Sequence, residues 1–527
     1  MARIAVIGAG MGAMAAAARL AVAGHRVAVY ERGDTHGGGV GRLERDGFRF
    51  DTGPGLLHLP AVYRDLFVKT GKEPLEQCVE LRQVDPAGAH VFADGTALTL
   101  PNASRAGVVG ALDGAFGAGA GERWSDLINR AREVWDATRR PLLEEPLRAD
   151  PTALGDDPYP ALRRAWWRRG PAPLAKVARR ELADPRLAAL LEAHALAYGL
   201  DPRHAPASAT VLAYLEQTFG SWYVRGGVRA LADALYERCL ARRVEFTFGA
   251  EASAVLVKDG RAAGVEFADG TVVDADLVVA GVDPAGLARL LPPRFATEGP
   301  HGAADPAGAG SAGGAGAAAG GGQLGRFSVL LALRGARPAG TAHRTVVHPA
   351  DPDAEYAELF PARPGRRATA DGPGGGVARQ PTVTVLRPDD RELVPDGDHE
   401  AVTLTSAARP HPAVDWTDPA VAEQAAQRLL AAAAAALPEL SERLLWREIR
   451  TPCDTARDTG VASGAVPAPA LAGAGGAHLA PANVTPLPGL YRVGGWSHPG
   501  GGLAHAGMSG AMVAGLIVDG ADWRGSQ

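Results

Sequence analysis

Residues 1–32 place a short apolar run, a glycine turn, an alanine-rich stretch and a second apolar run ending in an acid directly after one another. That order is strand, turn, helix, strand. It imposes a parallel pair, because a helical crossover between two strands brings the second back in the direction of the first. The turn carries Gly8, Gly10 and Gly12, with Ala13 in the third place of a Gly-x-Gly-x-x-Ala pattern. Gly8 permits the tight turn, Gly10 lets backbone approach a pyrophosphate, and Ala13 is small enough for helix and strand to pack closely. The phosphates then lie at the positive end of the helix. Glu31 follows at the spacing of a carboxylate that accepts hydrogen bonds from ribose hydroxyls. Glycine turns arise by chance in a chain with 68 glycines. Here the flanking apolar runs at 3–7 and 26–30, and Gly24 as a helix stop, supply the context.

At 527 residues the chain is long enough for about two to four domains. A net charge of −5, from 54 basic and 59 acidic residues, leaves no electrostatic footprint for nucleic acid. Cys78, Cys239 and Cys453 are too widely spaced for a disulfide scaffold or a zinc site, so no metal is expected and a reducing cytoplasm is the expected location. The apolar N-terminus is interrupted by Arg19 and is better explained by the strand and helix than by a secretion signal. No apolar run reaches the roughly 18 residues of a membrane span.

Further along, Gly37, Gly38, Gly39 and Gly41 form a second glycine cluster, followed by a loop reading Asp46-Gly-Phe-Arg-Phe-Asp51-Thr-Gly53-Pro54. Asp94-Gly95 between 89–92 and 96–100 signals a hairpin, and with it an antiparallel sheet distinct from the parallel one. Residues 104–215 read mainly as helices punctuated by prolines. Residues 220–228 lead into an amphipathic helix through 240. Strands at 244–248, 252–257, 263–267 and 271–273 and a returning strand at 276–280 then form a β-meander that feeds back into the parallel sheet. Residues 299–322 are almost entirely Gly, Ala, Pro and Ser. They hold too little apolar bulk to offset the entropy of ordering and read as a flexible insertion, with a lid as the alternative. Strands follow at 327–333 and 345–348, and Asp418 with Pro419 opens a helix through residue 437.

The most specific stretch lies near the far end, where a strand at 490–493 runs through Gly494-Gly495-Trp496-Ser497-His498-Pro-Gly-Gly-Gly502 into a helix pattern ending at 518. A second set of backbone amides can therefore point at an electron-rich ligand. For a flavin this has a purpose, since reduction places negative charge near the N1 and C2 oxygen edge of the ring, where a helix N-terminus stabilises it. A nicotinamide gains little from such a loop.

With this loop in view, the chain resembles the phytoene desaturase family of FAD-dependent carotenoid oxidoreductases, within the wider amine-oxidase-like flavoproteins. The likeness extends over the whole chain. It is carried by residues 8–12 with Glu31, by His36-Gly-Gly, by the 46–54 loop, by Trp222-Tyr223 with Gly226-Gly227, by Arg450-Thr-Pro-x-Asp454, by Pro481-x-Asn483 and above all by residues 489–502. The family usually has Arg or Lys after its paired glycines, where this chain has Gly39; Arg32 or Arg42 is the substitute. Ala252, after Glu251, stands at a meander position that often holds a valine against the flavin nucleotide. The Gly-rich insertion has no counterpart.

The resemblance implies an α/β fold: a Rossmann-like FAD-binding domain with a parallel sheet and a β-meander, beside a mixed antiparallel-sheet and helical substrate domain. The first would comprise 1–75, 221–291 and 484–524, the second 76–220 and 326–483, with 292–325 as the flexible insertion. FAD contacts are implied at Gly8, Gly10, Gly12, Ala13, Glu31, Arg32, Gly37, Gly38, Arg42, Gly53, Pro54, Ala252, Gly494, Gly495 and Ser497. The implied reaction is dehydrogenation of a long apolar isoprenoid or polyene, with a hydride passing to flavin N5 and a proton lost from the neighbouring carbon. An isomerase or ketolase of the same family is an alternative, as is an isoprenoid-binding protein similar to prenyl-binding dissociation inhibitors, which use no flavin. His498 and Trp496 are candidates for shaping the site, the alternative being a backbone-bonded loop histidine and a packing tryptophan. Asp51 is a flavin-site carboxylate or a turn-former bonding its own backbone, and His343 and His348 are strand or loop residues. Residues 163–169, Arg-Arg-Ala-Trp-Trp-Arg-Arg, suit a membrane headgroup interface, or else a solvated basic helix with its tryptophans in the core.

Overall fold

The computed structural model describes residues 1–160, 172–296, 323–361, 375–438 and 440–525. The arginine–tryptophan stretch at 163–169 and the Gly-rich stretch at 299–322 lie outside the described residues.

The opening unit forms as its sequence demands: β1 (Arg3–Ile7), α1 (Met11–Val22) and β2 (Arg26–Glu31). Three further strands complete a five-stranded sheet: β3 (Glu245–Phe248), β4 (Leu277–Ala280) and β5 (Leu490–Arg492). Their order is β3-β2-β1-β4-β5, and each neighbouring pair is parallel. Residues 4–7 of the central β1 are all buried, which is why that strand is a continuous apolar run rather than an alternating one. Between β3 and β4 the crossover is the meander Ala252–Lys258, Arg261–Phe267 and Val272–Asp274, closed on the sheet by Val255, Val265, Phe267 and Val278.

The alanine run of α1 has a packing reason. It lies against α3 (Leu503–Val518), and small residues on both helices let the backbones approach. A Cβ on Gly510 would stand 2.6 Å from the Gly12 carbonyl oxygen, and one on Gly12 would stand 2.7 Å from Gly494 Cα. The remaining face of α1 meets α2 (Val228–Ala241) through Leu231, Ala232 and Leu235.

Beside this unit stands a seven-stranded mixed sheet in the order Leu444–Arg450, Gly325–Arg334, His399–Ala408, Val383–Leu386, Arg344–Val347, Gly88–Val91, Ala97–Leu100. Its neighbours are antiparallel except for Arg344–Val347 with Gly88–Val91. The helices Arg105–Phe116, Ala120–Arg139, Leu174–Leu182, Pro185–Leu196 and Val211–Phe219 build a layer with its own core around Trp124, Leu127, Leu190 and Leu212. Among the described residues no helix is long and apolar enough to cross a membrane.

The structure departs from the sequence reading in several places. The 46–54 loop begins as a hairpin, Arg42–Arg45 against Phe48–Asp51, because Asp46 and Gly47 both take positive φ and make the two-residue turn whose twist matches the strands. The helix from Pro419 ends at Ala433 rather than at 437, since Pro438 disfavours helix at its predecessor and offers no N–H. The long strand His399–Ala408 and the edge strand Leu444–Arg450, absent from the sequence reading, flank the strand Gly325–Arg334.

The α1–α3 contact yields a direct test. Gly12→Val forces a side chain into backbone that has no flexible end to move and should destabilise the fold by about 1–3 kcal/mol. Gly114→Ala, in open space on the helix Arg105–Phe116, should instead stabilise by about 0.5–1 kcal/mol. Urea midpoints of the two variants on opposite sides of the parent confirm the packing; a Gly12→Val midpoint at or above the parent's rules it out.

Candidate functional site

Strand order reverses between β1 and β4, and ligands of such sheets bind beyond the carboxyl ends of the strands at that point. The glycine turn sits there. Gly8, at φ +90°, donates its N–H to the Tyr30 carbonyl at 2.8 Å, and a Cβ on it would press within 3.3 Å of the Gly281 carbonyl at the end of β4. Ala13 lies on the same spot from the helix side, 3.3 Å from where a Cβ on Gly281 would be. The Glu31 carboxylate is locked in place, Oε2 accepting from Ala9 N–H and Oε1 from Gly33 N–H, both at 2.8 Å. Each oxygen retains capacity for a further donor.

The second glycine cluster folds onto the first. Gly37 donates its N–H to the Ala9 carbonyl at 2.9 Å, and a Cβ on Gly38 would meet Gly10 Cα at 3.1 Å. Arg229, near the start of α2 and 8% exposed, clamps this loop: it donates to the His36 carbonyl at 2.7 Å, to Thr35 Oγ1 at 2.8 Å and to Asp233 at 2.7 Å. Sequence reasoning missed Arg229. Its position two residues after Gly226-Gly227 is the signal that could have found it. Gly53 packs against Gly39, since a Cβ there would overlap the Gly39 carbonyl, and Pro54 continues the chain toward the strand Leu57–His58.

Asp51 is not the turn-former that one alternative made it. Its Oδ2 accepts from Val228 N–H at 2.7 Å and its Oδ1 from Arg229 N–H at 3.1 Å, so it caps α2 from across the fold instead of bonding its own turn. Burial pushes its carboxyl up to about 6, against the pull of those two amides and of Arg42 and Arg229. The two arginines suggested as phosphate contacts are engaged elsewhere. Arg32 donates to the carbonyls of Ala456 and Arg457, and Arg42 to the Gly226 carbonyl at 2.8 Å. Ala252 opens the meander beside Phe267, two residues after Ala250 donates its N–H to the Glu31 carbonyl.

The far loop is held from α3. Ser509 Oγ accepts from Gly494 N–H at 3.0 Å and from the buried Asn483 side chain at 3.1 Å, while Asn483 also donates to the His498 carbonyl at 2.8 Å. Ser497, fully enclosed, donates to the Gly494 carbonyl at 3.1 Å. Gly495 lies against Pro467, and Trp496 is half-buried in the turn. His498 is completely buried, with Nε2 3.0 Å from the Glu145 carbonyl, and burial lowers its pKa to about 4. The bond ties the loop to the helical layer, in line with the backbone-bonded alternative for this residue.

These pieces make two adjacent amide-lined ends. Helix α1 starts at Gly10 and α3 at Gly502, neither with a side-chain cap, whereas Ser104, Asp184, Asp283, Asp351, Asp418 and Thr451 cap other helices of the chain. Their first-turn N–H groups are left for a ligand. A Cβ on Gly10 or on Gly494 would meet nothing within 4 Å, so both turns face open space. The residues therefore fit a long ligand with a pyrophosphate at one helix end and an electron-rich ring at the other, as FAD has.

Deep between the helical layer and the mixed sheet lies a polar cluster that sequence reasoning also missed. Arg344 forks onto Glu216, which holds its carboxyl well below the usual range. His194 stands 3.7 Å from Glu216, and desolvation lowers the pKa of the neighbouring His58. Glu216 and Arg344 are 128 residues apart in sequence, so no local pattern signals the pair.

The sequence profile described as flavin containing amine oxidoreductase matches residues 14–313. Among characterised proteins, 4,4'-diapolycopene oxygenase of a Methylomonas species is 30% identical over 291 residues, 53% of this chain and 56% of that protein. The chain thus aligns with little more than half of that relative's length. Hydroxyneurosporene desaturase of Rhodobacter capsulatus is 28% identical across 98% of this chain and 97% of its own. Among solved structures, an oxidoreductase from Methanosarcina mazei superposes with a TM-score of 0.60 at 17% identity, covering 97% of this chain and 99% of that one.

Glu31→Ala removes the acceptor at the end of β2 and should weaken FAD binding about 10- to 100-fold, the worth of one or two hydrogen bonds to a charged group. Titration of apoprotein with FAD measures it, and unchanged affinity excludes the contact. Asp51 gives a pH signature. Its carboxyl is raised above its ordinary value near 3.8, so the proton binds the folded state more tightly, and stability present below about pH 4 is lost as pH rises through about 6. Asp51→Asn should remove that decline; urea midpoints at pH 4 and pH 7 that differ as in the parent refute it.

Proposed function

This chain belongs to the flavin-containing amine oxidoreductase family, and we propose that it is an FAD-dependent desaturase of a carotenoid or related polyene. The observation that carries the reading is the meeting of two helix N-termini without side-chain caps, α1 and α3, where a Cβ on Gly12 would stand 2.8 Å from the Ala506 carbonyl in the first turn of α3. Only a ligand that reaches from one to the other uses both.

Bound FAD supplies the two-electron acceptor for hydride removal. The chain's residues do the rest. Amides of the α1 turn hold the pyrophosphate, Glu31 orients the ribose, and Arg229 and Asp51 keep the 36–40 loop and the start of α2 in register with it. Amides at the start of α3 stabilise charge that develops on the ring. We assign 1–75, 221–291 and 484–524 to the cofactor domain, and 76–220 with 326–483 to the substrate domain. The full-length likeness to a carotenoid desaturase supports an apolar polyene as the substrate. Such a substrate resides in bilayers, so we further propose a peripheral membrane contact through the arginine–tryptophan stretch at 163–169.

The purified protein should be yellow, with a flavin absorption band. Under anaerobic conditions, phytoene in liposomes should bleach that band and yield a product two hydrogens lighter for each step. A geometric isomer of unchanged mass points to an isomerase instead, and colourless protein that takes up no FAD removes the oxidoreductase reading altogether.

A further inference from the structure

The mixed sheet has two unlike faces. Side chains alternate along Gly325–Arg334, Val383–Leu386 and His399–Ala408, and one face sends Phe327, Val329, Val385 and Leu404 into a closed apolar core. The other face carries Arg326, Ser328, Thr384, Thr403 and Thr405, with Ser328 opposite Thr405 and Thr405 opposite Thr384. It looks toward the helical layer. Arg344, in register with Leu386 on this face, reaches Glu216 of the helix Val211–Phe219. Arg326 Nη2 lies 3.4 Å from the carbonyl of Ala197, just after the helix Pro185–Leu196. All five side chains stay half-buried although they lie between two layers, so the helices do not close on this part of the sheet.

The Arg326 end of this opening is short of partners. Among the described residues no carboxylate pairs with its guanidinium, whose one hydrogen bond is the long one to Ala197. The neighbouring Tyr198 offers a hydroxyl that bonds to no described residue. Both side chains remain half-buried, yet enough protein surrounds them that desolvation lowers the pKa of Arg326 and raises that of Tyr198. The Tyr198 ring stands 3.8 Å from where a Cβ on Gly502 would be, so the unpaired cation lies near the helix end proposed to serve the flavin ring.

We propose that the substrate is a polyene acid, a long unsaturated isoprenoid with a carboxylate at one end, and that Arg326 and Tyr198 bind this carboxylate. The inference rests on the desaturase reading and narrows its substrate. A guanidinium kept from water without a counter-charge is costly, and an anion that accepts from its N–H groups removes that cost. The Tyr198 hydroxyl donates to the second carboxylate oxygen, and the hydroxyls of Ser328, Thr384, Thr403 and Thr405 line the approach. A hydrocarbon or alcohol end leaves the cation unneutralised, so charge is what the site selects. Anchoring the acid end also sets which carbon–carbon bond of the chain comes to the ring.

The test uses flavin-loaded holoprotein at neutral pH with all-trans-retinoic acid and its methyl ester as probes, binding being followed by quenching of tryptophan emission. The probes share one polyene and differ at the end only in charge and a methyl group. The parent should bind the acid at least about tenfold more tightly than the ester, the worth of one hydrogen bond to a charged group. Arg326→Gln should keep its flavin, bind the ester as the parent does and bring acid and ester within about twofold, while Arg326→Lys restores part of the preference. Tyr198→Phe should weaken the acid by about threefold or more and spare the ester.

Equal affinity of the parent for acid and ester overturns the inference, as does a preference for the acid that survives in Arg326→Gln. An Arg326→Gln protein that loses its flavin assigns the arginine to the cofactor and overturns it as well. Each of these results leaves the desaturase reading standing as long as the parent bleaches with phytoene. A parent that takes up no FAD overturns the reading and the inference together.

Discussion

The backbone contact between α1 and α3 is the constraint on which the rest of the structure depends. The two helices come from opposite ends of the chain, and each must start beside the other for its first-turn amides to share one ligand. Close approach demands that no side chain intervene, which accounts for glycine at 12 and 510 and for alanine along the facing side of α1. With the helices at this separation, β1 and β4 fall beneath their N-termini, and the point of strand reversal becomes a groove between two sets of free N–H groups. Larger residues at these positions would keep both helices and lose the groove.

Bare loops need external support, because a glycine turn has no side chains with which to hold itself. The chain supplies that support from distant segments. Arg229 and Asp51 brace the first pair of loops and the start of α2, and Asn483 and Ser509 brace the last. Each bracing group is buried and bonded to backbone, so the turns are positioned by interactions whose loss would strand a polar atom away from water. The amides at the starts of α1 and α3 carry no side-chain cap and lie where a ligand is expected. Electrostatics follows the same division, with neutral histidines at 498 and 505 near the ring end and the ionised Glu216–Arg344 pair set deeper, toward the mixed sheet.

Much of this was legible in the sequence where the signal is local. The βαβ unit, the β-meander and the far glycine loop are each dictated by a few adjacent residues whose backbone preferences agree. Legibility failed where a distant neighbour decides. Residues 444–450, Leu-Leu-Trp-Arg-Glu-Ile-Arg, carry too much charge to read as a strand, yet they pair along Gly325–Arg334 as a sheet edge. Asp51 looked like a turn-former because aspartate before Thr-Gly-Pro often is one, and only the arrival of α2 from residue 228 makes it a cap. His498 sits in the most informative loop of the chain but faces the Glu145 carbonyl, an orientation that the loop residues alone do not set.

By itself, the sequence determined that a parallel sheet would form, that two helices would open on glycine turns, and which small residues would permit close backbone approach, because these follow from local sterics and periodicity. Only the tertiary structure decided that the two turns meet and that Arg229, Asp51, Asn483 and Ser509 hold them. Those are contacts between residues far apart in the chain, and burial and hydrogen-bond satisfaction select them only once the whole fold is assembled.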